Sequence, residues 1–252
     1  MGFNAEKVKN DIVEWIKNWF EANGKGCNAV IGISGGKDSS IVAALCVEAL
    51  GKDKVIGVLM PNGEQGDIND AVELCEYLDI PMMDINIEDI YKEIIKAVSE
   101  SINYDFCWGN FKLSEQSITN LPPRIRMSVL YFVSQNFNGR VANTCNLSED
   151  YIGYSTRWGD SVGDFAPLAN LIVAEVKAVG YECGLPKHLV DKTPADGLCG
   201  KTDEDNIGFS YEILDKYIRT GICENEKIKE KIDMLHKKNL FKLQPIASFK
   251  IK

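Results

Sequence analysis

Apolar residues are distributed along this chain in two alternating patterns. Short apolar runs bounded by glycine, proline or polar residues are typical of buried strands, and longer segments with apolar residues every three to four positions are typical of helices. These patterns predict strands at residues 27–33, 54–60, 82–87 and 140–143, alternating with helices at residues 4–22, 38–50, 68–78, 89–99 and 121–136. The alternation predicts an α/β fold with a doubly wound, mainly parallel sheet and helices on both faces.

Two of the predicted helices carry more specific expectations. In the first, the apolar stripe is expected to pack on the sheet, with a subunit contact as the alternative; it consists of Val8, Ile12, Trp15, Ile16 and Trp19. In the helix at 121–136, Pro122 and Pro123 are expected in the first turn, with Asn120 as the N-cap.

The pattern changes after Asp150. Residues 153–167 and 191–206 are polar and lack periodicity, whereas residues 171–183, 209–219 and 225–238 have helical spacing. The chain contains neither an internal repeat nor a low-complexity linker. We therefore expect one domain over residues 1–252 with a helical C-terminal part.

A glycine-rich segment follows the first predicted strand and leads into a helix. It reads Ile33, Ser34, Gly35, Gly36, Lys37, Asp38, Ser39 and Ser40. Adjacent glycines let backbone N–H groups converge on a ligand, and a helix N-terminus behind them favours a phosphate over a ligand-free turn. The Walker pattern fails because Ile31 and Asp38 stand where glycine and Ser or Thr are needed. The dinucleotide fingerprint fails at Gly32-Ile33-Ser34. A carboxylate in such a loop suits a cation, so Asp38 is predicted to be a magnesium ligand.

Composition narrows the class of protein. The chain has 252 residues, of which 45% are hydrophobic and 26% charged, as in ordinary globular proteins. A net charge of −9 argues against general nucleic-acid binding, and no apolar run approaches a membrane span. The 8 cysteines are scattered without a Cys-x-x-Cys pair, which argues against a zinc knuckle and favours the cytoplasm.

A second candidate site follows the strand at 140–143. Thr144 comes directly after that strand and Glu149 five residues later, at the sheet edge where the glycine loop also ends. Two carboxylates from different strand ends, Asp38 and Glu149, could share magnesium. Taken alone, Glu149 fits a solvated helix face better.

The order of further segments makes the pattern much more specific. The glycine loop is followed by Pro61-Asn62-Gly63-Glu64-Gln65, by Asn120 through Arg126, by Thr144 through Asp160, and by Pro194 through Glu204. Together these segments resemble the NAD synthetase family over residues 5–245. The resemblance implies an adenine-nucleotide α-hydrolase-like, Rossmann-like fold and a homodimer. It also implies a ligase that adenylates the carboxylate of nicotinate adenine dinucleotide with ATP and lets ammonia displace AMP.

The resemblance also implies roles for individual residues. Residues 33–40, Gln65 and Thr144 would bind ATP; Asp38 and Glu149 would hold Mg²⁺; Asp160 would lie near the reacting ammonia and carboxylate. Contacts with the dinucleotide would come from Arg124, Arg157, Asp164, His236 and Lys237. Cations at such positions would offset the repulsion between a carboxylate and the α-phosphate that it attacks. The tract at 227–238 is equally compatible with a solvated helix face.

The chain departs from the family pattern at three places. Val173 stands where many members place a lysine on ATP, Ala195 replaces a Ser or Thr, and Pro122-Pro123 replaces a polar-Ala pair. Either Lys37, Lys192 or Lys201 supplies the missing charge, or ATP is bound differently in this chain.

Two alternative functions remain open from the sequence. One is another enzyme with the same loop, such as an argininosuccinate, GMP or lysidine synthetase or a tRNA thiolase. The other is a nucleotide-binding relative without turnover. A glutaminase domain is not expected, because the nucleotide-binding segment begins near residue 27.

Overall fold

The computed structural model describes residues 2–66, 68–101, 113–192 and 202–251. Its centre is a parallel sheet of four strands in the order β3-β2-β1-β4. The strands are β1 (Asn28–Gly32), β2 (Val55–Leu59), β3 (Met82–Asp84) and β4 (Gly139–Val141). The predicted doubly wound α/β fold is thereby confirmed.

Eleven α-helices are seen in the described residues. Those of the first half are α1 (Ala5–Asn23), α2 (Lys37–Leu50), α3 (Ile68–Tyr77), α4 (Glu88–Ser101) and α5 (Glu115–Asn136). The second half contains α6 (Leu147–Ile152), α7 (Val173–Glu182), α8 (Lys187–Asp191), α9 (Asp203–Ile207), α10 (Tyr211–Thr220) and α11 (Glu226–Asn239). Short 3-10 turns occur at Lys52–Lys54 and Leu240–Lys242. None of the described helices is long and apolar enough to cross a membrane.

Strand β1 lies between β2 and β4, so β2 and β3 are added to the sheet on one side of it and β4 on the other. Ile31 pairs with Gly57 on one side and Val30 pairs with Val141 on the other, both in parallel register. In open parallel sheets a ligand crevice forms where the strand order reverses, beyond the carboxyl ends of the strands. Here that position lies between the ends of β1 and β4.

The core has a layer on each face of the sheet and a third layer in the C-terminal helices. Ala29 and Ile31 pack with residues of α1, α2 and α7, whereas Val30 points to the opposite face and packs with Ile125 and Val133 of α5. The third layer joins α6, α7, α9, α10 and α11 around residues such as Ile232, which is fully buried. Helices α6, α9, α10 and α11 therefore form a layer beside the sheet, and α7 contributes side chains both to this layer and to the layer on the sheet.

Helix α5 differs from its prediction. It begins at Glu115 rather than at 121, and Ser114, not Asn120, is its N-cap, accepting a hydrogen bond from the Ser117 N–H. The predicted Asn120 cap is wrong, and both prolines lie inside the helix. Proline in a helix interior removes a backbone hydrogen bond, and tertiary packing compensates here because Pro122 is buried.

One further expectation needs correction. Trp15 was predicted to pack on the sheet with the rest of its stripe, but it is 43% exposed, and Val13, Ile16 and Phe20 are the buried side chains of α1. Residues 147–152, which showed no helical period over so short a span, form α6.

Candidate functional site

A cavity of about 800 Å³ opens at the carboxyl ends of β1 and β4. Its wall includes the glycine loop, the ends of both strands, the cavity-facing side of α5 and the segment from Gly153 to Val162. The elements that the sequence placed at one sheet edge are therefore assembled around a single space.

The glycine loop is built as a helix N-terminus with small side chains turned inward. Gly35 has a φ of 76°, which favours glycine, and Gly36 is the N-cap of α2. The Ser34 Oγ accepts a hydrogen bond from the Gly36 N–H and lies 3.2 Å from the Ser39 Oγ. Ser40 instead donates to the Gly36 carbonyl at 2.8 Å and is buried beneath the loop.

Most residues predicted to bind ATP face the cavity. Those in its wall are Ile33, Ser34, Gly36, Lys37, Asp38, Ser39, Gln65 and Thr144. Gln65 donates from its side-chain amide to the Ser34 carbonyl at 3.3 Å, which ties the loop after β2 to the glycine loop. Gly35 and Ser40 shape the loop from behind and are not among the described lining residues.

The two predicted metal ligands are joined by Asn146. Its side-chain amide donates to the Asp38 carboxylate at 3.1 Å, and its side-chain oxygen accepts from the Glu149 N–H at 3.1 Å. Asn146 is fully buried and caps α6, so the start of this helix fixes both carboxylates relative to each other. Lys37 completes the cluster through a 2.5 Å ion pair with Asp38.

Like charges at close range shift the ionisation of this cluster. Burial and the nearby Asp38 carboxylate raise the pKa of Glu149, with the Lys37 ammonium acting in the opposite direction. For Lys37, burial alone would lower the pKa, but Asp38 and Glu149 outweigh it and the pKa is raised. If Asp38, Glu149 and Lys37 were all ionised, negative charge would exceed positive charge, so an additional cation would favour the ionised form of Glu149.

The opposite wall combines a carboxylate with polar and cationic groups. Asp160 accepts a hydrogen bond from the Thr156 N–H at 2.7 Å, and the Thr156 hydroxyl donates to the Asn120 side chain at 2.8 Å. Asp160 is exposed on the cavity side, but the surrounding protein removes enough water from its carboxylate to raise the pKa of Asp160. Arg126 also lines this wall and donates to the Met60 carbonyl at 3.0 Å.

The residues predicted to contact the dinucleotide lie outside the described cavity wall. Arg124 is exposed and donates from Nε to the Arg157 carbonyl at 3.4 Å. The Arg157 guanidinium lies over the rings of Trp158 and Phe241 at 4.9 and 5.0 Å.

Asp164 and the C-terminal pair contact the protein backbone or solvent. The Asp164 carboxylate accepts from the Val141 N–H at 2.7 Å and so holds the preceding loop against β4. His236 lies 2.7 Å from the Tyr151 carbonyl through Nδ1 and stacks on that tyrosine, and Lys237 is exposed on α11.

Sequence reasoning missed two residues of the cavity wall, Arg126 and Lys242, and the buried Asn146, which is not among the described lining residues. Asn146 and Glu149 form a capping box at the start of α6, a signal that the Asn-x-x-Glu spacing carries. Arg126 lies two positions after Arg124, but only the orientation of α5 decides which arginine faces the cavity. Lys242 follows α11 and has no local signal at all.

The structure accounts for some departures from the family pattern. Val173 is buried in the C-terminal core, where its N–H donates to the Ser148 Oγ at 3.2 Å. Lys192 lines the cavity and pairs with Asp70 at 2.6 Å, and Lys37 pairs with Asp38. Ala195 and Lys201 lie outside the described residues.

Comparison with known proteins identifies the family. The model of the NAD synthase family matches residues 8–250. The chain belongs to the NAD synthase family. The NH(3)-dependent NAD(+) synthetase of Pyrococcus furiosus is 41% identical over 216 residues, which cover 85% of this chain and 78% of that protein. The enzyme of the same name from Methanocaldococcus jannaschii is 37% identical over 97% of this chain and 90% of its own length.

Solved structures of the family share the fold. An NMN synthetase from Francisella tularensis superposes with a TM-score of 0.88 at 29% identity, covering 99% of this chain and 100% of that one. An NH3-dependent NAD synthetase from Campylobacter jejuni superposes with a TM-score of 0.77 at 27% identity and the same coverage. Family members are ligases that use ATP as co-substrate.

Proposed function

We propose that the chain catalyses the ATP-dependent amidation of nicotinate adenine dinucleotide with ammonia, the last step of NAD formation. The observation that supports this most directly is the cavity of a NAD synthase family member that combines a glycine loop, a carboxylate pair and a second polar wall. The glycine loop would bind the ATP phosphates, and Thr144 and Gln65 would contact the nucleotide. The carboxylate substrate would lie between this loop and Asp160.

The first half-reaction joins two anions, so cations have to offset their repulsion. The substrate carboxylate attacks the α-phosphate and pyrophosphate leaves, which forms an acyl-adenylate. Lys37 and Arg126 line this space from the loop and from α5. Fixed positive groups at a site of developing negative charge lower the activation barrier without reorganising. Ammonia then attacks the activated carbonyl and AMP leaves. Asp160 would orient the nucleophile and accept its proton.

Magnesium fits the residues around Asp38. Asn146 contacts the Asp38 carboxylate with its side-chain amide and the Glu149 carboxylate with its backbone N–H, and two ionised carboxylates here would exceed the single charge of Lys37. The described residues contain no group of three or more His, Cys, Asp or Glu side chains suited to a metal. Mg²⁺ commonly takes only one or two protein carboxylates and completes its shell with phosphate oxygens and water. Bound there, it would neutralise phosphate charge during adenylation.

A mononucleotide is a second candidate substrate. The Francisella relative with a TM-score of 0.88 is an NMN synthetase, a name that implies amidation of the corresponding mononucleotide acid. The sequence relatives at 37% to 41% identity are instead NAD(+) synthetases, which favours the dinucleotide. Both acids carry the same reacting carboxylate, so the chemistry of the site is unchanged.

The decisive experiment measures products from the purified chain. With ATP, magnesium, ammonium and either acid, we expect NAD or the mononucleotide amide by mass spectrometry, together with AMP and pyrophosphate. A higher kcat/KM for the dinucleotide acid is expected. Release of ADP and phosphate, or absence of any amide, would contradict the proposal. Glutamine in place of ammonium is expected to support a far lower rate.

We also propose a homodimer formed through the surface between α4 and α5. An apolar groove of about 670 Å³ lies there, lined by Met83, Ile85, Ile90, Ile94, Ile125, Ser128, Val129, Phe132, Val133, Asn136 and Phe137. Phe132 is 71% exposed, and no residue of α4 is fully buried. Exposed apolar patches of this kind mark interfaces, and a second copy is the partner that the resemblance implies.

The free thiols of the described residues support a cytoplasmic location.

A further inference from the structure

The C-terminal segment makes a regular set of contacts with the end of α6. Three side chains, spaced three residues apart, lie within hydrogen-bonding distance of successive backbone carbonyls. They are those of His236, Asn239 and Lys242. His236 contacts the Tyr151 carbonyl at 2.7 Å, and Asn239 donates to that of Ile152 at 3.0 Å. These carbonyls belong to the last turn of α6, where a helix has no internal donors left to satisfy them.

Lys242 extends this set into the cavity. Its ammonium group donates to the carbonyls of Gly153 and Ser155 at 2.7 and 2.9 Å, and its side chain forms part of the cavity wall. Gly153 has a φ of 69°, and a Cβ there would come within 2.1 Å of the Asn239 Cβ. The glycine therefore allows the C-terminal segment to approach closely enough for these contacts.

The segment held by Lys242 leads directly to Asp160. The residue after Ser155 is Thr156, whose N–H donates to the Asp160 carboxylate at 2.7 Å. Burial lowers the pKa of Lys242, and the nearby Asp160 carboxylate offsets part of this by favouring the protonated form. Displacement of the Gly153–Ser155 backbone would thus move the donor that orients Asp160.

Lys242 differs from the other lysines of the described cavity wall. Lys37 and Lys192 are ion paired with Asp38 and Asp70, whereas Lys242 has two carbonyl acceptors and no carboxylate within ion-pair distance in the described residues. An ammonium group has three N–H donors, so one donor remains for a ligand in the cavity. Its full charge is also uncompensated by a direct partner.

We propose that Lys242 is a further residue of this site, one that positions the Gly153–Asp160 segment and presents a positive charge to the carboxylate of the substrate. The inference rests on the proposed amidation. Neither the glycine loop nor the pair Asp38 and Glu149 depends on Lys242, so its effect should concern the carboxylate substrate and not ATP.

The test compares steady-state kinetics of four variants with the unaltered chain. Lys242→Gln keeps N–H donors but removes the charge, and Lys242→Arg keeps the charge. Asn239→Ala removes the neighbouring contact with the Ile152 carbonyl without changing charge. Lys229→Gln removes a surface charge from α11, where Lys229 pairs with Glu226, and serves as the matched control. All four should be purified as folded protein, checked by circular dichroism.

We expect Lys242→Gln to raise KM for the dinucleotide acid roughly tenfold or more, the scale of a lost charge-assisted hydrogen bond. KM for ATP should change by less than about twofold, because binding at the other wall is unaltered. Lys242→Arg should recover most of the loss, and Lys229→Gln should behave as the unaltered chain.

Three results would overturn the inference. They are equal kinetics for Lys242→Gln and Lys229→Gln, equal increases in KM for ATP and for the acid, and an Asn239→Ala variant that reproduces the whole Lys242→Gln effect. Failure of the proposed function itself looks different, because the unaltered chain would then release no AMP with either acid.

Discussion

At the scale of single residues, the most informative feature is a pair of carboxylates, Asp38 and Glu149, that line one cavity and are both in contact with Asn146. Asn146 contacts Asp38 with its amide group and receives the Glu149 N–H on its oxygen. The structure therefore brings together residues that are 111 positions apart along the chain. Burial and the Asp38 carboxylate raise the pKa of Glu149 although Lys37 acts in the opposite direction, which is the arrangement expected of a functional site rather than of a core.

The first prediction concerns these carboxylates. Asp38→Asn and Glu149→Gln keep shape and remove one negative charge each, and we expect turnover to fall by ~10²-fold or more while the fold persists. AMP release at limiting magnesium measures the effect, and excess magnesium should restore part of it. Asp11→Asn, on the exposed side of α1, is the control. Near-normal turnover of both variants at low magnesium would refute the metal roles.

A second residue-scale prediction tests how tightly the segment before Asp164 packs on β4. A Cβ at Gly163 would lie 2.6 Å from the Asn143 backbone nitrogen, and backbone cannot move aside as a flexible side chain can. We expect Gly163→Ala to lower the free energy of unfolding by about 1–3 kcal/mol. Urea denaturation measures this. Gly66→Ala, where no atom lies within 4 Å of the added Cβ, should be nearly neutral; equal losses in the two variants would contradict the packing argument.

At the scale of elements, α10 provides the cap for α7. The Asp215 carboxylate of α10 accepts hydrogen bonds from the Ala174 N–H at 2.9 Å and from the Ser148 hydroxyl at 2.5 Å. The first N–H groups of a helix lack internal partners, and the N-cap residue of α7, Ile172, has no side chain that can accept a hydrogen bond from them. One buried carboxylate thus joins α6, α7 and α10 and fixes the C-terminal layer against the cavity.

Removal of this cap should destabilise the protein. We expect Asp215→Ala to cost about 1–3 kcal/mol in the free energy of unfolding, because it leaves buried donors unsatisfied. Chemical denaturation provides the measurement. Asp233→Ala, which removes an exposed partner of the Tyr217 hydroxyl, is the control and should change stability by less than about 0.5 kcal/mol. A loss no larger than that of the control would contradict this role.

The same residue yields a prediction about pH. Burial raises the pKa of Asp215 above its ordinary value of 3.8. The folded state then binds a proton more tightly than the unfolded state, so stability is lost as pH rises from the unfolded pKa through the folded one. Asp215→Asn cannot ionise there. We therefore expect the free energy of unfolding of Asp215→Asn, minus that of the unaltered chain, to increase with pH above about 4. A difference that decreases with pH would contradict this prediction.

At the scale of the whole molecule, the α4–α5 groove predicts a dimer. Phe132→Glu places a charge in the centre of this apolar surface, and we expect a dimer by light scattering to become a monomer. Stable interfaces bury about 800 Å² per partner, and an unpaired charge within one is costly. Phe249→Glu is the matched control, because Phe249 is 91% exposed and lies outside the groove lining. A Phe132→Glu variant that remains dimeric would place the interface elsewhere.

Much of the architecture follows from the sequence, because strand–helix alternation and the glycine loop are local signals. The hydrophobic patterns of residues 28–32 and 55–59 determined strands of the parallel sheet, and Ser34 to Ser40 determined a strand–turn–helix transition. Local signals were misleading in α5, where Asn120 is a good capping residue and the prolines resemble a first turn. Packing of Pro122 in the core compensated for the lost hydrogen bonds, and the helix continues through them.

The sequence by itself determined the fold class, the family and the chemical groups available to the cavity, since these depend on residue types and on their order. Only the tertiary structure decided which of those groups face the cavity. Arg126 lines it while Arg124 does not, because the orientation of α5 selects one face of the helix. Lys242 lines it although it is 82 residues from Asp160, since the packing of α11 on α6 brings distant segments together. Periodicity describes what each element can bury, whereas the packing between elements decides which side chains meet.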